Sequence, residues 1–148
     1  MPANMVVPKH IGFILDGNRR FAKLQGLKPW RGHEFGRDTV YRLMDWCLEF
    51  GIHELTLYTF SLQNFYRPKT EVKKLMDLLE TELNNLAVDP RIHNNRVRIR
   101  IVGQRELLPN RVQDAIARVE ASTELYNDFI LNVCAAYGGK EEILLAVK

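Results

Sequence analysis

Four short apolar runs alternate with segments of helical periodicity, and this alternation constrains the fold more than any other feature of the chain. The runs cover about Ile11–Leu15, Glu54–Phe60, Val97–Val102 and Phe129–Ala135. Between the first two, Val40, Leu43, Met44, Cys47 and Leu48 recur at helical spacing, and Gly51 is placed to end that helix. After Pro68, a second stripe collects Val72, Leu75, Met76, Leu79, Leu83 and Leu86. Pro109 suits an early helical position and precedes Val112, Ala115, Ile116 and Val119. Glu141–Lys148 begins a further helix with Ile143, Leu144 and Val147 on one stripe. Strands separated by helices favour a parallel sheet, since parallel neighbours need long crossovers and each face must be covered. The expectation is an α/β protein: one domain over residues 1–148, at least four parallel strands, helices on both faces and right-handed crossovers. The third run departs from this pattern. Arg96, Arg98 and Arg100 alternate with Val97, Ile99 and Ile101, which places that strand near a sheet edge with one solvated face. A nucleic-acid groove is the sharper reading of those arginines, but no exposed aromatics interleave with them, so no nucleic-acid partner is expected.

Composition narrows the setting. Apolar residues are 46% and charged residues 26%, ordinary for a globular protein, and the formal net charge is only +3. A weak basic balance fits anionic small molecules or an anionic membrane surface. Cys47 and Cys134 stand in apolar contexts without CxxC spacing and read as buried free thiols in a reducing compartment. No apolar stretch reaches transmembrane length, and Met1–Lys9 lacks the apolar core of a signal peptide. The expected location is the cytoplasm, with peripheral membrane contact possible in principle.

Chemistry is concentrated in one segment, His10-Ile11-Gly12-Phe13-Ile14-Leu15-Asp16-Gly17-Asn18-Arg19-Arg20-Phe21-Ala22. An apolar run, read as a buried strand, ends in Asp-Gly-Asn, and two arginines open a helix. Ligands of open α/β sheets bind at the carboxyl ends of strands. A glycine turn at a helix start offers N–H groups to phosphate, an aspartate holds a hard divalent cation, and arginines grip phosphate oxygens in pairs. The segment reads as a metal-diphosphate site. For Asp16 alone, helix N-capping is an equal alternative; for Gly17 it is an ordinary turn glycine, and for Arg20 a solvated charge.

That segment resembles the opening motif of the cis-prenyltransferases, the undecaprenyl and dehydrodolichyl diphosphate synthases. Gly32-His33-Glu34-Phe35-Gly36 is similar to their Gly-His-x-x-Gly segment, and Leu55 to Pro68 to their second strand and following loop. Val97–Gly103 resembles the third strand, and Leu131–Gly139 the fourth with its Gly-Gly turn. The resemblance implies a partial cis-prenyltransferase fold. It also implies a C-terminally truncated chain, because the family continues with an arginine-rich block that supplies part of the isopentenyl diphosphate site and a second acidic metal ligand.

The resemblance implies roles for single residues. Asp16 becomes the magnesium ligand, and Asp16, Asn18, Ser61 and Asn64 the catalytic set. Gly17, Arg20, Arg31, His33 and Arg67 become the diphosphate-binding set, with Arg31 standing in for an arginine the family carries at the position of Pro29. His33 is balanced against a structural histidine, and Ser61, Asn64 and Arg67 against a solvated loop. Arg19 stands where many members carry glycine and is left outside the set. Phe21, Gln63 and Phe65 replace a tryptophan, a glutamate and a tryptophan of the family. The two apolar helical stripes border either a hydrocarbon tunnel or plain core.

The implied reaction extends an allylic diphosphate, such as farnesyl diphosphate, with isopentenyl diphosphate in cis geometry. It is magnesium-dependent, and the full-length protein is expected to be a homodimer or heteromer. The alternative is a non-catalytic fragment or subunit that binds diphosphate and needs a partner chain. A generic phosphate binder is disfavoured, since neither G-x-G-x-x-G nor a Walker lysine is present.

Overall fold

The computed structural model describes residues 6–147. In chain order the elements are β1 (His10–Ile14), α1 (Asn18–Leu24), α2 (Arg31–Glu49), β2 (Glu54–Ser61), α3 (Lys69–Leu86), α4 (Pro90–Asn94), β3 (Val97–Val102), α5 (Asn110–Thr123), β4 (Phe129–Tyr137) and α6 (Gly139–Ala146). Short 3-10 turns at Leu62–Tyr66 and Arg105–Leu107 lead into α3 and α5. The four strands pair in parallel in the order β1-β2-β4-β3. Met1–Met5 and Lys148, named above, lie outside the described residues.

Alternation along each strand sorts the sheet into two unlike faces. Leu55, Leu57, Ile99, Ile101 and Leu131 point to one face and are at most 2% exposed. Met44 and Cys47 of α2, Met76 and Leu83 of α3, and Val112, Ile116 and Val119 of α5 close over that face in a single core. The expected stripes of all three helices are those that pack. Helical cover is uneven, however. The opposite face carries a polar ladder: His10 Nε2 lies 2.8 Å from Thr56 Oγ1, and Asn132 Nδ2 donates to Glu54 Oε1 (2.7 Å) and Thr56 Oγ1 (3.1 Å). This face offers less apolar area to bury, so α2, α3 and α5 gather on the other side.

The two edges differ. β3 is an edge, as its arginine alternation suggests: Arg100 is exposed, while Ile99 and Ile101 are buried. Its outward N–H groups are satisfied by α5, since Ile99 N donates to Thr123 Oγ1 (3.2 Å) and Ile101 N to Glu120 Oε1 (2.8 Å). β1 is the other edge, and here the reading of a buried strand is corrected. With a single neighbour, β2, it leaves Phe13 38% and Ile14 77% exposed. It also ends one residue early, because Asp16 N turns back to Ile14 O at 3.0 Å.

The end of α2 is a Schellman motif. Gly51 (φ 71) donates to Leu48 O at 3.2 Å, and Ile52 donates to Cys47 O at 2.8 Å, so Gly51 ends the helix as expected. α4 was not foreseen. Its signal was the Asp89-Pro90 pair: Asp89 Oδ1 accepts from Arg91 N at 2.8 Å, and Pro90 fills the first turn.

Candidate active site

The carboxyl end of β1 opens directly into the Asp16–Asn18 turn. Gly17 has φ 92 and serves as the N-cap of α1, with no side-chain cap bond. Asp16 is therefore not a helix cap. Its Oδ1 accepts from Gly17 N at 2.5 Å, and its Oδ2 accepts from Arg20 Nη2 at 2.9 Å, with both side chains three-quarters exposed. An exposed ion pair of this kind is weak and exchangeable. The carboxylate is free to take a cation and the guanidinium to take an anion.

The Gly-His-x-x-Gly segment is the first turn of α2, and its glycines explain where that helix lies. A Cβ at Gly32 would stand 1.9 Å from Asn18 O, and one at Gly36 would stand 2.9 Å from Asn18 Oδ1. Two glycines one turn apart thus let α2 rest against the start of α1. His33 lies between them. Asn18 Nδ2 donates to His33 Nδ1 across 3.4 Å, while His33 Nε2 is buried with no partner among the described residues. Burial pushes the His33 pKa down, and the nearby Arg67 and Arg19 push it the same way against the opposing Glu71. The ring is held neutral at pH 7, with Nε2 carrying the proton in the tautomer this hydrogen bond implies.

A cavity of about 590 Å³ sits over this turn. Arg19, Arg20, Lys23 and Arg67 line it together with Asp16, Asn18 and His33. Behind it, a second cavity of about 170 Å³ runs between α2 and α3 above the sheet, walled by Val40, Met44, Leu57, Leu75, Leu79 and Leu83. Leu15, Asn18 and His33 line both. The apolar stripes of α2 and α3 therefore border a hollow as well as a core.

Not every expected residue reaches this place. Arg31 does not line the cavity: it starts α2 and turns to Glu34, 2.8 Å away on the surface, while Pro29 lines the wall instead. Ser61 and Asn64 are also outside it. They form a capping box on the 3-10 turn, with Asn64 Oδ1 accepting from Ser61 N at 3.0 Å. That turn, with Phe65 edge-on to Phe60 at 4.9 Å, sets the position from which Arg67 enters the cavity. Lys23 and Glu71 escaped the sequence reading, and Arg19 was left outside the set. Lys23 lies one helical turn from Arg20 and was legible as such. Arg19 and Glu71 meet across 3.4 Å from distant parts of the chain, and no local pattern announces that pair.

Among the described residues, no three acidic, histidine or cysteine side chains gather to form a protein-only metal cage. Magnesium typically takes one or two carboxylates, substrate phosphate oxygens and water. Asp16, exposed at the rim of a cationic cavity, fits that manner of binding.

Comparison with known proteins agrees with this geometry. The family model described as "Putative undecaprenyl diphosphate synthase" matches residues 14–148. A tritrans,polycis-undecaprenyl-diphosphate synthase (geranylgeranyl-diphosphate specific) of Methanopyrus kandleri is 48% identical over 142 residues, covering 96% of this chain and 52% of that protein. An isoprenyl transferase of Deinococcus radiodurans is 47% identical over 146 residues, covering 99% of this chain and 53% of that protein. The crystal structure of lavandulyl diphosphate synthase from Lavandula x intermedia, in complex with dimethylallyl diphosphate, superposes with a TM-score of 0.84 at 29% identity, covering 94% of this chain and 59% of that one. The chain spans about half the length of the curated relatives it matches. Glycine-turn motif, cationic cavity, sheet order and these matches together make the chain a member of the cis-prenyltransferase (undecaprenyl diphosphate synthase) family.

Proposed function

We propose that this chain carries the allylic-substrate side of a cis-prenyltransferase site. The observation that carries the reading is the shared wall. A cavity lined by four cations shares Leu15, Asn18 and His33 with a cavity walled by aliphatic side chains. An allylic diphosphate has that same division, an anionic head on a hydrocarbon tail. Arg20, Lys23 and Arg67 would take the head, and Val40, Leu75 and Leu79 the tail.

In the reaction, the double bond of isopentenyl diphosphate attacks the first carbon of the allylic chain, the carbon–oxygen bond to diphosphate breaks, and a proton leaves the new chain. Charge accumulates on the departing diphosphate, so preorganised cations lower the barrier. Arg20 and Arg67 supply them from fixed backbone positions. Magnesium, held by Asp16 and diphosphate oxygens, would add Lewis-acid neutralisation of the leaving group when bound. Asn18 holds the His33 ring, whose unpaired Nε2–H is a neutral donor at the junction of head and tail. Ser61 and Asn64 act in this scheme by fixing the turn that delivers Arg67.

The name of one relative suggests geranylgeranyl diphosphate as primer, and the family resemblance suggests farnesyl diphosphate. A polyprenyl diphosphate product favours a cytoplasmic enzyme in peripheral contact with a membrane; no helix among the described residues is long and apolar enough to cross one. The exposed Ile14, Leu24, Leu144 and Val147 support a further segment or partner chain, as in a homodimer or heteromer. A second reading is a diphosphate-binding subunit completed by another chain, supported by the exposed apolar side chains of Ile14 and Leu24. One assay separates the two. The chain is incubated with magnesium, farnesyl or geranylgeranyl diphosphate and labelled isopentenyl diphosphate. Labelled extended lipid supports the enzyme. Primer binding without extension supports the subunit, and neither binding nor extension overturns both.

A further inference from the structure

Glu71 is one of the few charged side chains of this protein that lie in the interior, at 3% exposure. A buried carboxylate is tolerated only when its charge is matched. Arg67 Nη1 donates to Glu71 Oε1 at 3.3 Å, and Arg19 Nε forms an ion pair with the same oxygen at 3.4 Å. One acid in α3 thereby ties together the first turn of α1 and the loop behind β2. The two arginines are not equivalent. The Arg67 side chain is 23% exposed and by itself matches the carboxylate. Arg19 is 52% exposed, has no other ionic partner among the described residues, and lines the cationic cavity.

A second arginine on an acid already matched is redundant as an anchor. It makes sense as a group held ready for an anion. Arg19, Arg20, Lys23 and Arg67 face two paired carboxylates, Asp16 and Glu71, which leaves the cavity with two unmatched positive charges. Without Arg19 a single charge would remain to face a diphosphate. Arg19 approaches Glu71 through Nε at 3.4 Å and its side chain is half exposed, which leaves its terminal nitrogens accessible for bidentate contact with phosphate oxygens.

We propose that Arg19 is a diphosphate-binding residue of this cavity and that Glu71 is the positioning residue that sets it beside Arg67. The proposal rests on the diphosphate reading of the cavity given above. The test is calorimetric titration of the purified chain with inorganic diphosphate and magnesium. The variants are Arg19→Gln, Arg19→Lys, Arg20→Ala and, as a charge control on the exposed face of α2, Arg42→Gln, with a melting curve recorded for each. Arg19→Gln weakens binding by about tenfold or more, the worth of a charge-assisted hydrogen bond. Arg19→Lys restores part of the loss, and Arg42→Gln stays within about twofold because its charge is screened at that distance. If Arg20→Ala loses binding while Arg19→Gln matches the Arg42→Gln control, Arg19 is an anchor of Glu71 only, and this inference falls while the cavity reading stands. If the unaltered chain takes up no diphosphate, the cavity reading and this inference fall together.

Discussion

Asn18 Nδ2 and His33 Nδ1 lie 3.4 Å apart, and the other ring nitrogen of His33 is buried without a partner among the described residues. Burial, Arg67 and Arg19 hold the imidazole below its ordinary value of 6.5. The unfolded chain therefore binds a proton at His33 more readily than the folded chain does. Stability contributed by this residue is present above pH 6.5 and is lost as pH falls from there toward the lower folded value. Melting temperature should decline as pH is lowered through that window, and His33→Gln should flatten the decline. An unchanged slope in His33→Gln would place the titrating group elsewhere.

Asp16 and Arg20 should matter for binding and hardly for folding. Their ion pair is exposed and contributes little to stability. Asp16→Ala and Arg20→Ala should leave thermal melts nearly unchanged. Arg20→Ala should cost about 1.5–3 kcal/mol of diphosphate affinity. Asp16→Ala should remove the magnesium dependence of that affinity, as read by titration with and without the metal.

Gly32 should be intolerant and Gly36 less so. The new methyl at residue 32 would meet backbone, Asn18 O at 1.9 Å, whereas at residue 36 it would meet the Asn18 side chain. Gly32→Ala should destabilise by about 1–3 kcal/mol, the range for overpacking, while Gly36→Ala costs less. Urea denaturation of both variants checks the order. Equal costs would mean that α1 yields as a unit.

Filling the apolar cavity should separate tail from head. Val40→Phe narrows the hollow between α2 and α3 but lies away from the cationic wall. Affinity for farnesyl diphosphate should drop about 5- to 150-fold, the equivalent of the 1–3 kcal/mol that overpacking costs. Affinity for inorganic diphosphate should stay level. Parallel losses for both ligands would show that the two cavities do not act on one molecule.

Much of the architecture was legible because it rests on periodicity. Met44, Cys47, Met76, Leu83, Val112 and Ile116 could be assigned to inward-facing helical stripes from spacing, though core and tunnel wall could not be told apart, and the arginines around β3 marked an edge. β1 could not be read that way, since Ile11 to Leu15 is as apolar as an interior strand and its exposure depends on having one neighbour rather than two. The site divides along similar lines. Asp16, Gly17, Asn18 and Arg20 are contiguous, so their meeting follows from one turn. Ser61 and Asn64 carry family positions, yet their hydrogen bonds are local and structural. Arg19 was set aside on the family pattern and Glu71 was not singled out, because the long-range ion pair that joins them has no period and no motif.

The strand order has a consequence for how the chain acquires this shape. β4, the last of the four described strands to be made, lies between β2 and β3, and Leu55 pairs with Leu131. Until residues near the end of β4 leave the ribosome, β2 and β3 have no common neighbour and the sheet exists only as separate pieces. The helical layer meanwhile has no continuous floor to settle on. Ordering must wait for a contact of long sequence separation, which makes closure slow and exposes unpaired strand edges during synthesis. Substitutions in β4 such as Val133→Ala should therefore depress the yield of soluble protein more than an equal loss of stability placed in α5.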